Sequence, residues 1–259
     1  MLELHDIDLS FNPGTPDELK LFHHFNLEVD TGSFVSIIGS NGSGKTSLLN
    51  LVSGTLIPDA GSILLNGEKI EKFPEYKRSR RLGRVHQDPG LGSCPALTVE
   101  ENLSLAEHKG KAYGLGRSVR PEKRQMYREL LSEFGLGLEH RLGQRVSTLS
   151  GGQRQALALL MATLQPLDLL ILDEHTAALD PKSSDIVMAK TAELVERNQR
   201  TTLMVTHNLK FALEFGDRLL MFHEGKVVMD RAGEDKKRTT LEEVLTQFNA
   251  ISIEVGNSI

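Results

Sequence analysis

Apolar side chains recur at alternate positions near the start of the chain, at Leu2, Leu4, Ile7 and Leu9 with one irregular step, which predicts a half-buried strand. Asn12-Pro13-Gly14-Thr15-Pro16 is a turn cluster, alternation resumes from Leu21 to Val29, and Asp30-Thr31-Gly32 predicts the closure of a hairpin. Phe34-Val35-Ser36-Ile37-Ile38 is instead continuous and largely β-branched, the pattern of a strand buried on both faces. Leu169 to Leu172 and Thr202 to Thr206 repeat that pattern, and alternation returns at Leu219–Phe222 and Val227–Asp230. Helical character follows at Thr46–Val52, after Pro121, from a Ser150 N-cap onward, and after Asp180-Pro181. Strands alternating with helices predict an α/β fold with a mainly parallel core sheet flanked by helices. The N-terminal alternation predicts an added antiparallel β subdomain. The glycine-rich stretch from Asp88 to Gly143 predicts a helical insertion of short helices and loops.

Composition sharpens this picture in three places. A chain of 259 residues with 39% hydrophobic and 25% charged residues has the profile of a globular protein that buries a sizeable core. A net charge of −5 offers no basic field for nucleic acid or anionic lipid. Cys94 is the single cysteine, so no intramolecular disulfide is possible, and it reads as an inert loop residue. The richest apolar run, Ala156 to Leu164, is about half of the roughly 18 residues that a membrane span requires. The opening residues lack a basic start and an apolar middle and do not read as a secretion signal. Any membrane role is therefore expected to run through a partner.

The chemistry begins where the first buried strand ends. Gly39-Ser40-Asn41-Gly42-Ser43-Gly44-Lys45-Thr46 matches the phosphate-loop pattern G-x-x-x-x-G-K-[ST] between a strand and a helix, and Ser47 continues it. Glycines let backbone N–H groups approach a triphosphate, and the helix N-terminus adds partial positive charge. Lys45 is expected to neutralise the β- and γ-phosphates of ATP, and the Thr46 hydroxyl to ligate Mg²⁺. The buried run at Leu169–Leu172 delivers Asp173 as a second Mg²⁺ holder and Glu174 as the group that polarises the attacking water.

Leu149-Ser150-Gly151-Gly152-Gln153 places a hydroxyl and two glycine amides at another helix N-terminus. One γ-phosphate does not need two such cradles from one chain, so this one is expected to act in trans across a dimer. Here the sequence resembles the ABC ATPase family, whose signature LSGGQ it matches letter for letter, over about Leu2 to Phe248. The resemblance implies roles for further residues: Gln87 as the Q-loop glutamine contacting Mg²⁺ and water, Asp180 as the D-loop aspartate, His207 as the switch histidine and Phe11 as the aromatic against adenine. One departure is His175, which follows Glu174 where the family commonly has proline. It is expected to leave the carboxylate in place; the alternatives are a changed chain path into Thr176-Ala177-Ala178 or an added titrating group.

The resemblance implies one ABC ATPase domain over residues 1–248, with a core lobe of about 1–87 and 144–248, a helical subdomain of about 88–143, and a tail at 249–259. It implies a homodimer with two ATP sites, working with integral-membrane permease subunits at the cytoplasmic face of a membrane, and a solute-binding protein in the same system. A DNA-directed relative would need a long heptad insertion, and a ribosome-directed one two cassettes; neither is present. Separate subunits of this size resemble importers more than exporters, and the run Asp173–Lys182 resembles a group linked with amino-acid-type solutes. The remaining histidines, His5, His23, His24, His86, His108, His140 and His223, show no metal-ligand spacing; His23 and His24, adjacent on a strand, are expected to face opposite ways. No metal beyond Mg²⁺ and no nucleic acid is expected. The basic run Lys77–Arg84 is expected to be a solvated face.

Overall fold

The computed structural model describes residues 1–111 and 119–250 in full, and the backbone of 251–256. The parts of the expected insertion at 112–118 and of the tail at 257–259 lie outside the described residues. The elements in chain order are β1 (Leu2–Phe11), β2 (Leu19–Val29), β3 (Phe34–Gly39), α1 (Lys45–Ser53), β4 (Ala60–Leu65), β5 (Glu68–Lys69), α2 (Glu75–Arg78), β6 (Leu82–Val85), α3 (Val99–Glu107), α4 (Arg124–Ser132), α5 (Gly151–Thr163), β7 (Leu169–Asp173), α6 (Pro181–Arg197), β8 (Thr202–Val205), α7 (Leu209–Glu214), β9 (Arg218–His223), β10 (Lys226–Ala232), α8 (Gly233–Arg238) and α9 (Leu241–Gly256). Among the described residues, no helix is long and apolar enough to cross a membrane.

The chain divides into two compact units, one of Met1–Arg78 with Gln199–Ile259 and one of Ser79–Asn198. These bounds cut differently from the expected lobes, because β7 pairs with β6 and α5 packs against β6, which draws the signature helix and the Asp173 strand into the second unit.

In the first unit β2, β1, β4 and β5 form an antiparallel sheet in that order. Its inner face is the alternating apolar set, with Leu2, Leu4, Ile7, Phe22 and Ile63 buried. In the same unit β3 runs parallel to both β8 and β9, and β10 closes on β9 antiparallel. β3 is buried at every position, which explains its unbroken apolar run. Asp30-Thr31-Gly32 does not close a hairpin. It carries the chain from β2 in one sheet to β3 in the other, held by Gly32 N–H donating to Thr201 Oγ1 at 2.9 Å. Helices α7 and α9 cover this second sheet through Ala212, Val244 and Phe248 packed on Ile38, Leu219 and Met221.

The basic run is a solvated face only at Lys77 and Arg80. Arg78 is 2% exposed, and its guanidinium donates to Phe73 O (2.9 Å), Leu51 O (2.6 Å), Val52 O (3.1 Å) and Glu71 O (2.9 Å). Two of those acceptors are orphan carbonyls at the C-terminus of α1, so Arg78 ties down the far end of the phosphate-loop helix. In the second unit Arg81 pairs with Asp168 and Arg84 with Asp173. A run of charges in sequence is thus split into one buried anchor, two part-buried ion pairs and two exposed charges.

Candidate functional site

The phosphate loop occupies the turn between β3 and α1. Gly39 has φ 149°, and a Cβ there would lie 2.3 Å from Phe222 O and 2.9 Å from Ser43 Oγ, so only glycine lets β9 approach the loop. Gly225, in the β9–β10 turn, donates its N–H to Ser43 O at 3.0 Å and braces the loop from the other side. Lys45 is 5% exposed, and its ammonium donates to Gly39 O (2.8 Å) and Ser40 O (2.7 Å), the loop's own carbonyls. Ser43 and Gly44 are buried and Ser47 half-buried, while Asn41, Gly42 and Thr46 are exposed. Helix α1 has no acidic residue in its first turn, leaving the partial positive charge of its N-terminus uncompensated. Phe11 stands half-buried at the end of β1, opposite Leu19.

His207 belongs to the same unit. Thr206 holds the end of β8 by donating its N–H to Ile37 O at 3.1 Å, and Asn208 caps α7. His207 and Gly39 line one cavity of about 230 Å³ together with Ile38, Thr206, Leu209, Leu245 and Phe248. The structure therefore brings the histidine to the first glycine of the phosphate loop, although 168 positions separate them (207 − 39).

The second unit carries the other predicted residues. Ser150 caps α5 in a reciprocal box: its Oγ accepts from Gln153 N–H at 3.3 Å, and Gln153 Oε1 accepts from Ser150 N–H at 3.1 Å. Gln153 also donates to Leu136 O at 3.0 Å. Gly152 lies so close to α6 that a Cβ would meet Ser183 at 2.9 Å. Asp180 caps α6 by accepting from Ser183 N–H at 3.0 Å, and the Ser183 hydroxyl together with that N–H holds its carboxyl below the usual carboxylate range. Gln87 is exposed beyond β6; the carbonyl of its neighbour His86 accepts from Gln155 Nε2 at 3.1 Å, which ties this loop to the signature helix. Asp173 ends β7 and accepts from Arg84 Nη2 at 2.9 Å. Glu174 follows at φ 49°, a left-handed conformation that side chains avoid unless the surroundings impose it.

Two of these partners escaped the sequence reading. Gln155 is 1% exposed and lies on the buried face of α5 with Gly152, Ala156 and Leu159, so a polar residue on an apolar helical stripe is the signal that finds it. Arg84 has no such signal, since only the pairing of β6 with β7 brings it to Asp173.

His175 adds no titrating group at neutral pH. It is 2% exposed, its Nε2 lies 3.2 Å from Thr191 Oγ1, and burial pushes its pKa down from 6.5 to about 4. The Thr191 hydroxyl already donates to Val187 O at 2.8 Å, so the imidazole is the donor to it, and its burial keeps the ring neutral. In the unfolded chain a histidine takes up its proton near pH 6.5. The stability contributed by the neutral buried ring is therefore complete above pH 6.5 and lost as the pH falls toward 4. Urea midpoints at pH 7.5 and pH 5 should show a loss of about 2 kcal/mol that disappears in His175→Gln. An equal loss in the variant would place the pH sensitivity elsewhere.

A phosphate loop, an Asp-Glu strand end and a capped LSGGQ helix define a nucleotide-hydrolysing P-loop protein with a second capped, glycine-rich helix N-terminus. The comparisons agree. The ABC transporter family matches residues 22–177. A tyrosine transport ATP-binding protein of Clostridioides difficile is 47% identical over 250 residues, covering 96% of this chain and 98% of that protein. A lipoprotein-releasing system ATP-binding protein of Pseudomonas syringae is 34% identical over 88% of this chain and 97% of its own, and a phosphonates import ATP-binding protein of Alcaligenes faecalis is 33% identical over 89% and 82%. Among solved structures, an ATP-binding cassette captured as a dimer with ADP and phosphate superposes with a TM-score of 0.76 at 27% identity, covering 90% of this chain and 98% of that one. This chain belongs to the ABC transporter ATP-binding family, and it is an ATPase of that family.

Proposed function

We propose that the chain powers uptake of a small solute of the amino-acid class by a separate permease, working as a homodimer on the cytoplasmic face of the membrane. The observation that carries this reading is the 47% identity, end to end, with a protein named for tyrosine transport. The ATPase does not touch the solute, so the class follows from kinship and not from any pocket.

In the proposed cycle the loop amides and Lys45 bind the phosphates of ATP in one subunit, with Phe11 against the adenine. Ser150, Gly151, Gly152 and Gln153 of the other subunit close over the γ-phosphate, and Asp180 crosses the interface. The family resemblance assigns Mg²⁺ to Thr46, Gln87 and Asp173, whose side chains each offer the oxygen donor that ion prefers, and Mg²⁺ held by them would neutralise charge developing between the β- and γ-phosphates. Asp173 leaves Arg84 or shares its second oxygen to take part. Glu174 orients and deprotonates the water, and His207 contacts the γ-phosphate. Closure of the dimer would drive the permease into its other conformation.

The test is affinity purification of tagged Glu174→Gln protein from detergent-solubilised native cells with ATP and Mg²⁺. Co-purification of a polytopic membrane protein in stoichiometric amount is the expected result, and a solute-binding protein encoded beside it would mark uptake. A partner of lipoprotein-release type would move the assignment to the reading that the 34% and 35% identical relatives represent. Recovery of nucleic acid, ribosomes or the bare dimer would sink the transport reading.

A further inference from the structure

His23 and His24 do not face opposite ways. Leu9 pairs with Phe22 and Ile7 with Phe25, so the single residue Asp8 on β1 opposes both histidines on β2. That is a β-bulge, and His24 takes the extra position in a left-handed conformation, φ 49°. Two residues further along, Ile7 pairs with Phe25 and Leu4 with Leu27, so Asn26 alone opposes His5 and Asp6, and Asp6 is left-handed at φ 53°. Two bulges, one on each strand, restore the register while turning a group of side chains to the solvent side of the sheet. Each left-handed non-glycine residue costs about 1 kcal/mol or more, and the arrangement serves no core packing because these side chains are exposed or half-buried.

The result is a compact donor cluster. Asp8, His23 and His24 each present a ligand atom, and all three atoms lie within 4.8 Å of one another, a grouping found at no other place among the described residues. Asp8 Oδ1 lies 3.1 Å from His23 Nδ1, close to the edge of about 3.3 Å expected between neighbouring ligands of a tetrahedral ion with bonds of about 2.0–2.1 Å. Asp8 Oδ1 also accepts the His24 N–H at 2.9 Å, which fixes the bulge. The ionised Asp6 carboxylate only accepts, so His24 Nδ1 donates to it, and in the neutral ring the lone pair then stands on Nε2. That is the carboxylate–histidine–metal relay by which metal sites orient an imidazole. Asn26 completes the frame, accepting from Asp6 N–H at 3.0 Å and donating to His24 O at 2.8 Å.

We propose that Asp8, His23 and His24 bind a transition-metal ion of the zinc type, with Asp6 as the partner that orients His24. Two imidazoles and one carboxylate select zinc and its neighbours over Mg²⁺ or Ca²⁺, which prefer oxygen alone. The site is therefore chemically separate from the Mg²⁺ site of the ATPase cycle. Its position on β1 and β2 places it on the strand pair whose end carries Phe11.

The experiment is calorimetric titration of zinc chloride into EDTA-stripped, tag-free, nucleotide-free full-length protein, paired with Co²⁺ absorption spectra. One ion per chain should bind, with visible bands of tetrahedral Co²⁺ and a rise in the thermal midpoint by mass action. Both Asp8→Asn and the double variant His23→Asn/His24→Asn should lose that event while keeping the metal-free melting profile. Asp6→Asn should weaken it by about 10–100-fold, the usual effect of losing an outer-shell carboxylate. His140→Asn, at an exposed histidine paired only with its neighbour Glu139, should bind as the wild type does. Equal zinc uptake by the double variant and the wild type, or no uptake by the wild type, would overturn the proposal.

Discussion

Replacing Glu174 with glutamine should lower kcat for ATP by about 10²–10⁴-fold while leaving ATP binding in place. The strand β7 is buried from Leu169 to Leu172 and releases its chain at Asp173, so Glu174 is delivered at a fixed point. Its left-handed φ of 49° and the turn bond from Ala177 N–H to Glu174 O at 2.9 Å then set the direction of its side chain. Glutamine has the same shape and the same backbone cost, so the turn survives. What it loses is the lone basic oxygen pair that can accept a proton from water. Single-turnover hydrolysis and nucleotide binding measured on the same preparation separate the two effects. A fall of less than about tenfold in the chemical step would show that another group takes the proton.

Replacing Arg78 with methionine should destabilise the protein by about 3–5 kcal/mol, although the residue touches no predicted nucleotide contact. Its guanidinium serves four carbonyls in a site where burial draws its own pKa down, so the charge is tolerated because each of its three nitrogens reaches an acceptor. Methionine fills part of the volume and satisfies none of the acceptors, including Leu51 O and Val52 O at the end of α1. The thermal midpoint should drop by about 6–15 °C for a chain of this size. Arg80→Met, two positions away on the exposed side, should change stability by no more than about 0.5 kcal/mol. Equal shifts in the two variants would mean that the four bonds contribute nothing net.

The legible parts of this protein are those whose chemistry is local. A phosphate loop is a run of backbone amides and small residues, so its letters are its geometry, and β3, the loop and α1 appear where Phe34 to Val52 place them. The same holds for the signature, since a serine followed three residues later by glutamine is sufficient to build the capping box at Ser150 and Gln153. Strand patterning was equally readable: alternation marked the half-buried β1 and β2, and continuous apolar runs marked β3, β7 and β8.

Other features depended on what lies across a gap in sequence. Asp30-Thr31-Gly32 looks like a hairpin turn, but turn residues do not say which sheet receives the next strand. Lys77 to Arg84 looks like solvent-facing charge, yet the end of α1 and the Asp173 strand supply acceptors that turn Arg78 and Arg84 inward. Lys236 repeats the lesson within a charged run: it is 4% exposed, donates to Phe215 O and Gly216 O, and has a pKa pushed down to about 8 by burial. Composition and motif establish the nucleotide, the ATPase class and the strand order's raw material, because these rest on backbone groups within a few residues of each other. Which charges are buried, that His175 is neutral, and that Asp8 meets both His23 and His24 were decided by tertiary structure, because desolvation and cross-strand register are properties of neighbours that the chain supplies only once it has folded.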